Sequence, residues 1–268
     1  MLGAILGDVV GSRFEWRNCK SKQFDFLTSE SRLTDDSVMT LAIARAIVLW
    51  RRNPRCCVGT FAVETMQELG RKYADIGYGP AFAHWLSLEH PRPYGSWGNG
   101  AAMRVSPCAF AARTLDEALG MARAVTHVTH NHPEGLKGAE ATTAAIFLAR
   151  MGEGKDEIRA YIENHYYPLD FTLDEIRPAY AFDVSCQGSV PPAIVAFLES
   201  TDYEDAIRNA VSIGGDSDTI AAITGGIAEA HYGLTDLQRT QALVRLPSDL
   251  RAIVQEFEAL VKTEGAVA

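Results

Sequence analysis

Along most of the chain, apolar positions recur with a period near 3.6, and the strict alternation of a half-buried strand is nearly absent. The repeats predict helices over 2–12, 35–51, 57–73, 80–88, 101–113, 115–125, 133–150, 155–164, 190–200 and 203–212. Others are predicted in a run opening after Thr219 and over 235–243 and 248–263. Pro54 breaks the second from the third. Residues 17–33 read as a polar loop delivering the chain to Thr34, and 75–80 as punctuation. Residues 90–100, rich in proline and glycine, read as a loop, and 165–188 as an irregular crossing segment. Residues 263–268 are expected to fray. No fixed period recurs, which argues against a solenoid, and no linker divides the 268 residues. The pattern therefore predicts an all-α fold of roughly a dozen helices in a single domain, 1–268.

Chemistry shows first where acids interrupt this pattern. In Ile213-Gly-Gly-Asp-Ser-Asp-Thr219, Asp216 and Asp218 stand one residue apart before an Ala-rich helix, with Thr219 behind them. One aspartate suffices for a helix cap; a second adds repulsion that a cap does not need. Thr34-Asp35-Asp36-Ser37 repeats the combination at the head of another helix. Taken alone, the 213–219 segment reads as well as an acidic cap as it does as a metal site. Together, two helix starts bearing carboxylates and hydroxyls suit a pair of hard cations, Mg²⁺ or Mn²⁺, about 3.5–4 Å apart. Asp8 lies inside the otherwise apolar first helix and needs a partner if buried. Gly3, Gly7 and Gly11 stripe that helix, a device for close helix approach. Glu15, read from its own stretch, is a solvated loop acid.

Composition narrows the reading. The net charge of −9 disfavours a general nucleic-acid or anionic-membrane surface. Five cysteines without a CxxC are expected to be reduced thiols of a cytoplasmic protein. The N-terminal stretch has no basic leader, and no apolar run reaches the length of a membrane span. His127, His130 and His132 match no zinc-ligand spacing, so pocket lining or helix capping is expected of them. Trp97, in the loop Ser96-Trp-Gly-Asn-Gly100, is equally readable as a stacking platform for a ligand ring and as a loop tryptophan folded onto the core.

Four motifs together resemble the ADP-ribosylglycohydrolase family, also called dinitrogenase-reductase-activating glycohydrolases. These are Gly3-Ala-Ile-Leu-Gly-Asp-Val-Val-Gly-Ser-Arg-Phe-Glu15, Thr34-Asp-Asp-Ser37, Ser96-Trp-Gly-Asn-Gly-Ala-Ala-Met103 and Gly214-Gly-Asp-Ser-Asp-Thr219. Thr129-His130 followed by Gly135 also fits. Ser37 stands where many members carry Thr, and Trp97 where the aromatic is often Tyr.

The resemblance implies a compact orthogonal multi-helix bundle that cleaves the bond at C1″ of ADP-ribose attached to a protein or other conjugate. It implies two Mg²⁺ ions, one on Thr34, Asp35 and Asp36 and one on Asp216 and Thr219, with Asp218 bridging. Ser96, Asn99 and Gly100 would grip the diphosphate and ribose within a substrate loop ending at Met103. Trp97 would stack on adenine, and His130 would line the cleft. Asp35, Asp36 and Asp218 would serve the oxocarbenium-like transition state, and Glu15 would assist proton transfer or act as a gate. The expected protein is a monomer. Its rivals are a two-metal phosphohydrolase, which would release AMP, and a non-catalytic relative, against which the retention of every oxygen-bearing motif position argues.

Overall fold

The computed structural model of the protein describes residues 1–54 and 56–265. Fourteen α-helices and a single 3₁₀ turn, with no strand, make up its regular structure among these residues. They are α1 (Leu2–Gly11), α2 (Asp35–Arg52), α3 (Val58–Lys72), α4 (Pro80–Ser87), the 3₁₀ turn Asn99–Ala101, α5 (Ser106–Ala111), α6 (Leu115–His127), α7 (Pro133–Arg150), α8 (Lys155–His165), α9 (Leu173–Ile176), α10 (Cys186–Leu198), α11 (Tyr203–Ser212), α12 (Ser217–Tyr232), α13 (Asp236–Leu243) and α14 (Ser248–Gly265). Helix α14 continues two residues past the predicted end at 263; residues 266–268, where fraying was also expected, lie outside the described residues.

Helix α12 is the centre of the packing. Every residue from Ser217 to Ala228 is buried, and α1, α7, α10 and α11 lie against it. Helix α1 is buried along its whole length because its glycine stripe lies on the α12 backbone. A Cβ at Gly3, Gly7 or Gly11 would drive into the carbonyl oxygen of Gly225, Ala221 or Ser217 respectively. The apolar faces of nearly all helices join one continuous core.

Three predicted elements need correction. The helix expected over 101–113 is a 3₁₀ turn and then α5, because Pro107 has no N–H to donate and its ring would clash with the Met103 carbonyl in a continuous helix. Helix α10 starts at Cys186, not near 190, and carries Pro191 and Pro192 inside it. The carbonyl of Gly188, which Pro192 cannot reach with a hydrogen bond, accepts the Tyr180 hydroxyl at 2.8 Å. The Gln187 carbonyl, orphaned by Pro191, belongs to an exposed residue. Within the supposedly irregular 165–188, Thr172 and Glu175 form a capping box that opens the single turn α9.

Candidate active site: two acidic helix starts on one cleft

The α1–α12 contact brings the two acidic motifs together. Gly214 and Gly215 adopt φ of +73° and +75°, and this turn sets Asp216 at the N-cap of α12 with Asp218 in its first turn. Asp35 and Asp36 occupy the first turn of α2. The motifs meet where Thr219 Oγ1 donates to Asp36 Oδ2 at 3.1 Å. Asn99 Nδ2 donates to Asp216 Oδ2 at 2.6 Å and to Ser189 Oγ at 3.0 Å, so the asparagine of the Ser96–Gly100 loop also holds an acid of the second motif.

Asp8 answers the question posed by its burial. It accepts hydrogen bonds from the backbone N–H groups of Thr34 and Ser37, at 3.2 and 3.1 Å, from Thr34 Oγ1 at 2.6 Å and from the Ser37 hydroxyl. A side chain of α1 thus caps α2, and Thr34, the N-cap residue, makes no capping bond with its own side chain. Burial lifts the Asp8 carboxyl to about 6 against the pull of these donors.

Glu15 is not the solvated acid that its local sequence indicates. It is half-buried, and it, Asp216 and Asp218 each offer an oxygen within 4.8 Å of the others. Its loop is tied down by Asn18, whose Nδ2 donates to the Glu15 carbonyl at 3.0 Å and whose Oδ1 accepts from Gly215 N at 2.7 Å. Lys20 Nζ adds a bond to the Tyr180 carbonyl at 2.6 Å and one to that of Ile213.

Crowding these acids into a buried space shifts their titration. Burial, then the Asp216 charge, raises Glu15 to about 7; burial, then Asp8, raises Asp35 to about 7. Burial, followed by neighbouring carboxylates, pushes Asp36 and Asp218 well above the carboxylate range, and burial raises Asp216. Asp36 Oδ1 is buried with no hydrogen-bond partner. An all-oxygen set of mutually repelling carboxylates, one with an orphaned oxygen, is a good fit to a hard divalent cation.

These acids stand in the wall of a cleft of about 530 Å³. Glu15, Asp35, Asp36, Ser96, Asn99, Gly100, Met103, His130, Asp216, Asp218 and Thr219 all line it. Thr34 stands behind the wall with its hydroxyl on Asp8, and the ring of Trp97 is 47% exposed and outside the wall. Ladder bonds from Asn99 N to Val184 O (2.7 Å) and from Cys186 N to Trp97 O (3.0 Å) fix that loop to the start of α10. Of the histidines, His130 lines the cleft, His132 caps α7 by accepting from Glu134 N at 3.2 Å, and His127 is exposed. The sequence reading missed Trp16, Tyr78, Phe82, Tyr94, Arg104, Phe182 and Val184, which also line the cleft. The signal available was exposure-prone aromatics in polar loops: Trp16 is 72% exposed and stacks on Phe182, with ring centroids 5.0 Å apart.

The sequence profile of the ADP-ribosylglycohydrolase family matches residues 1–266. Similar proteins include ADP-ribosylhydrolase ARH3 of Xenopus tropicalis, 28% identical and covering 87% of this chain and 86% of its own. ADP-ribosylarginine hydrolase Tri1 of Pseudomonas putida is 25% identical over 97% of this chain and 80% of its own. ADP-ribosyl-[dinitrogen reductase] glycohydrolase of Rhodospirillum rubrum is 26% identical over 77% and 71%. In fold, the chain is similar to a solved ADP-ribosylglycohydrolase-related protein complex, with a TM-score of 0.67 and 22% identity over 97% of each chain. Family profile, fold and the two acidic motifs on one cleft agree: the chain belongs to the ADP-ribosylglycohydrolase family.

Proposed function

We propose that this protein hydrolyses the glycosidic bond at C1″ of ADP-ribose attached to an acceptor, with two Mg²⁺ ions held by Thr34, Asp35, Asp36, Asp216, Asp218 and Thr219. The observation that carries the reading is the convergence of Glu15 with both acidic motifs on one cleft, with Asp36 Oδ1 left unpartnered. A cleft of about 530 Å³ lies within the ~300–1,000 Å³ usual for small-molecule sites. Bound there, the ions supply Lewis-acid orientation of the ribose hydroxyls and a more acidic water.

The chain's own residues do the rest. Asn99 keeps Asp216 aimed into the cleft, and Asp8 keeps Thr34 and the start of α2 in register with α12. Ser96 and Gly100 line the path for the diphosphate, and Trp97, at the exposed edge of the loop, stacks on adenine. The carboxylates stabilise the oxocarbenium-like charge at C1″. Glu15 moves the proton at the leaving atom or the attacking water. The substrate is an ADP-ribosylated protein or related conjugate. The single domain acts as a monomer in the cytoplasm, where its five unpaired cysteines stay reduced.

The test is incubation with serine-, arginine- and nucleic-acid-linked ADP-ribose, in Mg²⁺ and in EDTA, with products identified by mass. Intact ADP-ribose is expected, with release lost in EDTA; AMP would establish a phosphohydrolase instead. Asp35→Asn and Asp216→Asn are each expected to abolish calorimetric Mg²⁺ binding without unfolding the chain. Unchanged Mg²⁺ binding by both would end the two-ion reading.

A further inference from the structure

Arg104 is 1% exposed, yet no carboxylate lies within ion-pair distance of it among the described residues. Burying a guanidinium without an acid is costly, and its Nε has no hydrogen-bond partner either. The Phe82 ring centroid, 5.8 Å from Cζ, compensates weakly. What the guanidinium does touch is a polar pair on the segment between α6 and α7. Arg104 Nη2 donates to Thr129 Oγ1 at 2.6 Å and lies 3.4 Å from His130 Nδ1, and Thr129 Oγ1 is 2.7 Å from the same Nδ1.

The direction of each proton follows from chemistry. Arg104 has only donors, so Thr129 Oγ1 accepts from it. The hydroxyl proton then has two acceptors in reach, His130 Nδ1 at 2.7 Å and the Thr126 carbonyl at 3.4 Å. A proton on Nδ1 would face the Arg104 N–H at 3.4 Å; a lone pair there takes favourable interactions from both neighbours. Burial, and then the Arg104 charge, holds His130 neutral, well below its ordinary pKa. The single ring proton therefore sits on Nε2. That nitrogen faces the substrate loop, where a Cβ built on Gly100 would lie 3.2 Å from it, so the bare glycine leaves the space open. Both His130 and Gly100 line the cleft.

We infer that Arg104 and Thr129 form a positioning relay that fixes His130 as a neutral Nε2–H donor pointed at an anionic or hydroxyl oxygen of the ligand beside Gly100. The ligand half of this statement rests on the proposed ADP-ribosyl substrate; the tautomer half does not. Arg104 and Thr129 are positioning residues, and His130 alone makes the contact.

The experiment uses full-length protein with ¹⁵N-labelled histidine, without ligand. The His130 ring nitrogens are expected to show a protonated Nε2 and an unprotonated, hydrogen-bonded Nδ1. Thr129→Val keeps the side-chain shape and removes the hydroxyl. It should mix the tautomers and weaken calorimetric binding of free ADP-ribose roughly 3–10-fold, the range for one lost hydrogen bond. Thr129→Ser should restore both, which a purely packing role would not produce. A wild-type ring protonated on Nδ1, or a Thr129→Val variant with unchanged tautomer and unchanged affinity, overturns the relay. Wild-type protein that has the Nε2–H tautomer, loses it in Thr129→Val, and binds no ADP-ribose supports the relay and refutes the proposed substrate instead.

Discussion

At the scale of single residues, Glu15 shows how far chemistry depends on neighbours remote in sequence. Alone in Ser12-Arg-Phe-Glu-Trp16 it carries no pattern that separates it from a surface acid. Placed against Asp216 and Asp218, it is raised to about 7 by burial and then by the Asp216 charge, the range where an acid can exchange protons near neutral pH. Asp35, Asp36, Asp216 and Asp218 were legible because each pair doubles an acid where a helix start needs one. Trp16 and Phe182 were not legible as partners, because 166 positions separate two rings that only the fold stacks. Glu15→Gln is expected to retain Mg²⁺ binding, since both acidic motifs remain intact. On a serine linkage, whose alkoxide needs a proton, single-turnover rates should fall about 10²–10⁴-fold. On an arginine linkage the fall should be much smaller, because a guanidine leaving group carries its own basicity. Full rates on both substrates would return Glu15 to the status of a surface acid.

At the scale of elements, most helices were legible from periodicity, and the errors cluster at proline. Pro107 ended a helix that the pattern alone carried through, whereas Pro191 and Pro192 sit inside α10, where the Tyr180 hydroxyl takes up one of the carbonyls they abandon and the other belongs to the exposed Gln187. The glycine stripe of α1 was legible as a packing device; its consequence for the site was not, because that runs through Asp8 into α2 and through α12 into Asp216. Gly7→Ala tests this coupling. Its Cβ would meet the backbone carbonyl of Ala221, which cannot swing aside as a side chain can. Overpacking of this kind costs about 1–3 kcal/mol, and a chain of this size loses ~2–4 °C of Tm per kcal/mol. Mg²⁺ affinity should fall with it, since separating α1 from α12 moves the two acidic motifs apart. Gly120→Ala is the control: nothing lies within 4 Å of its added Cβ, so stability should hold or rise. Equal behaviour of the two variants, by calorimetric melting and Mg²⁺ titration, would show that the close α1–α12 approach carries no functional weight.

At the scale of the whole molecule, the net charge of −9 was countable from the sequence, but its concentration was not. Five carboxylates share one cleft wall, with Asp8 directly behind them, and the stability of the cation-free chain must depend on their protonation. Asp8 binds its proton to about pH 6, and Glu15 and Asp35 theirs to about pH 7, against ordinary values of 3.8 for the aspartates and 4.5 for the glutamate. Between those limits the folded chain holds more protons than the unfolded one, so its stability falls as pH rises. Surface acids held low by their partners, such as Asp205 beside Lys22 and Asp249 beside Lys72, act in the opposite sense, but only at pH values below the ordinary carboxylate range. Burial also holds the His130 and His231 rings below 6.5 and the Met1 ammonium below 8.0, which works in the opposite sense within this window. The six raised carboxyls of Asp8, Glu15, Asp35, Asp36, Asp216 and Asp218 outnumber them, so from pH 5 to 8 the site should dominate, and in EDTA the Tm is expected to decline across that window. Saturating Mg²⁺ should restore stability most at pH 8, where the carboxylates are ionised and ready to bind; ligand at 100 times its dissociation constant adds about 2.7 kcal/mol. Asp216→Asn should flatten the slope in EDTA and remove the response to Mg²⁺. A Tm in EDTA that stays level or climbs from pH 5 to 8 would mean that these acids are not forced together in the cation-free fold.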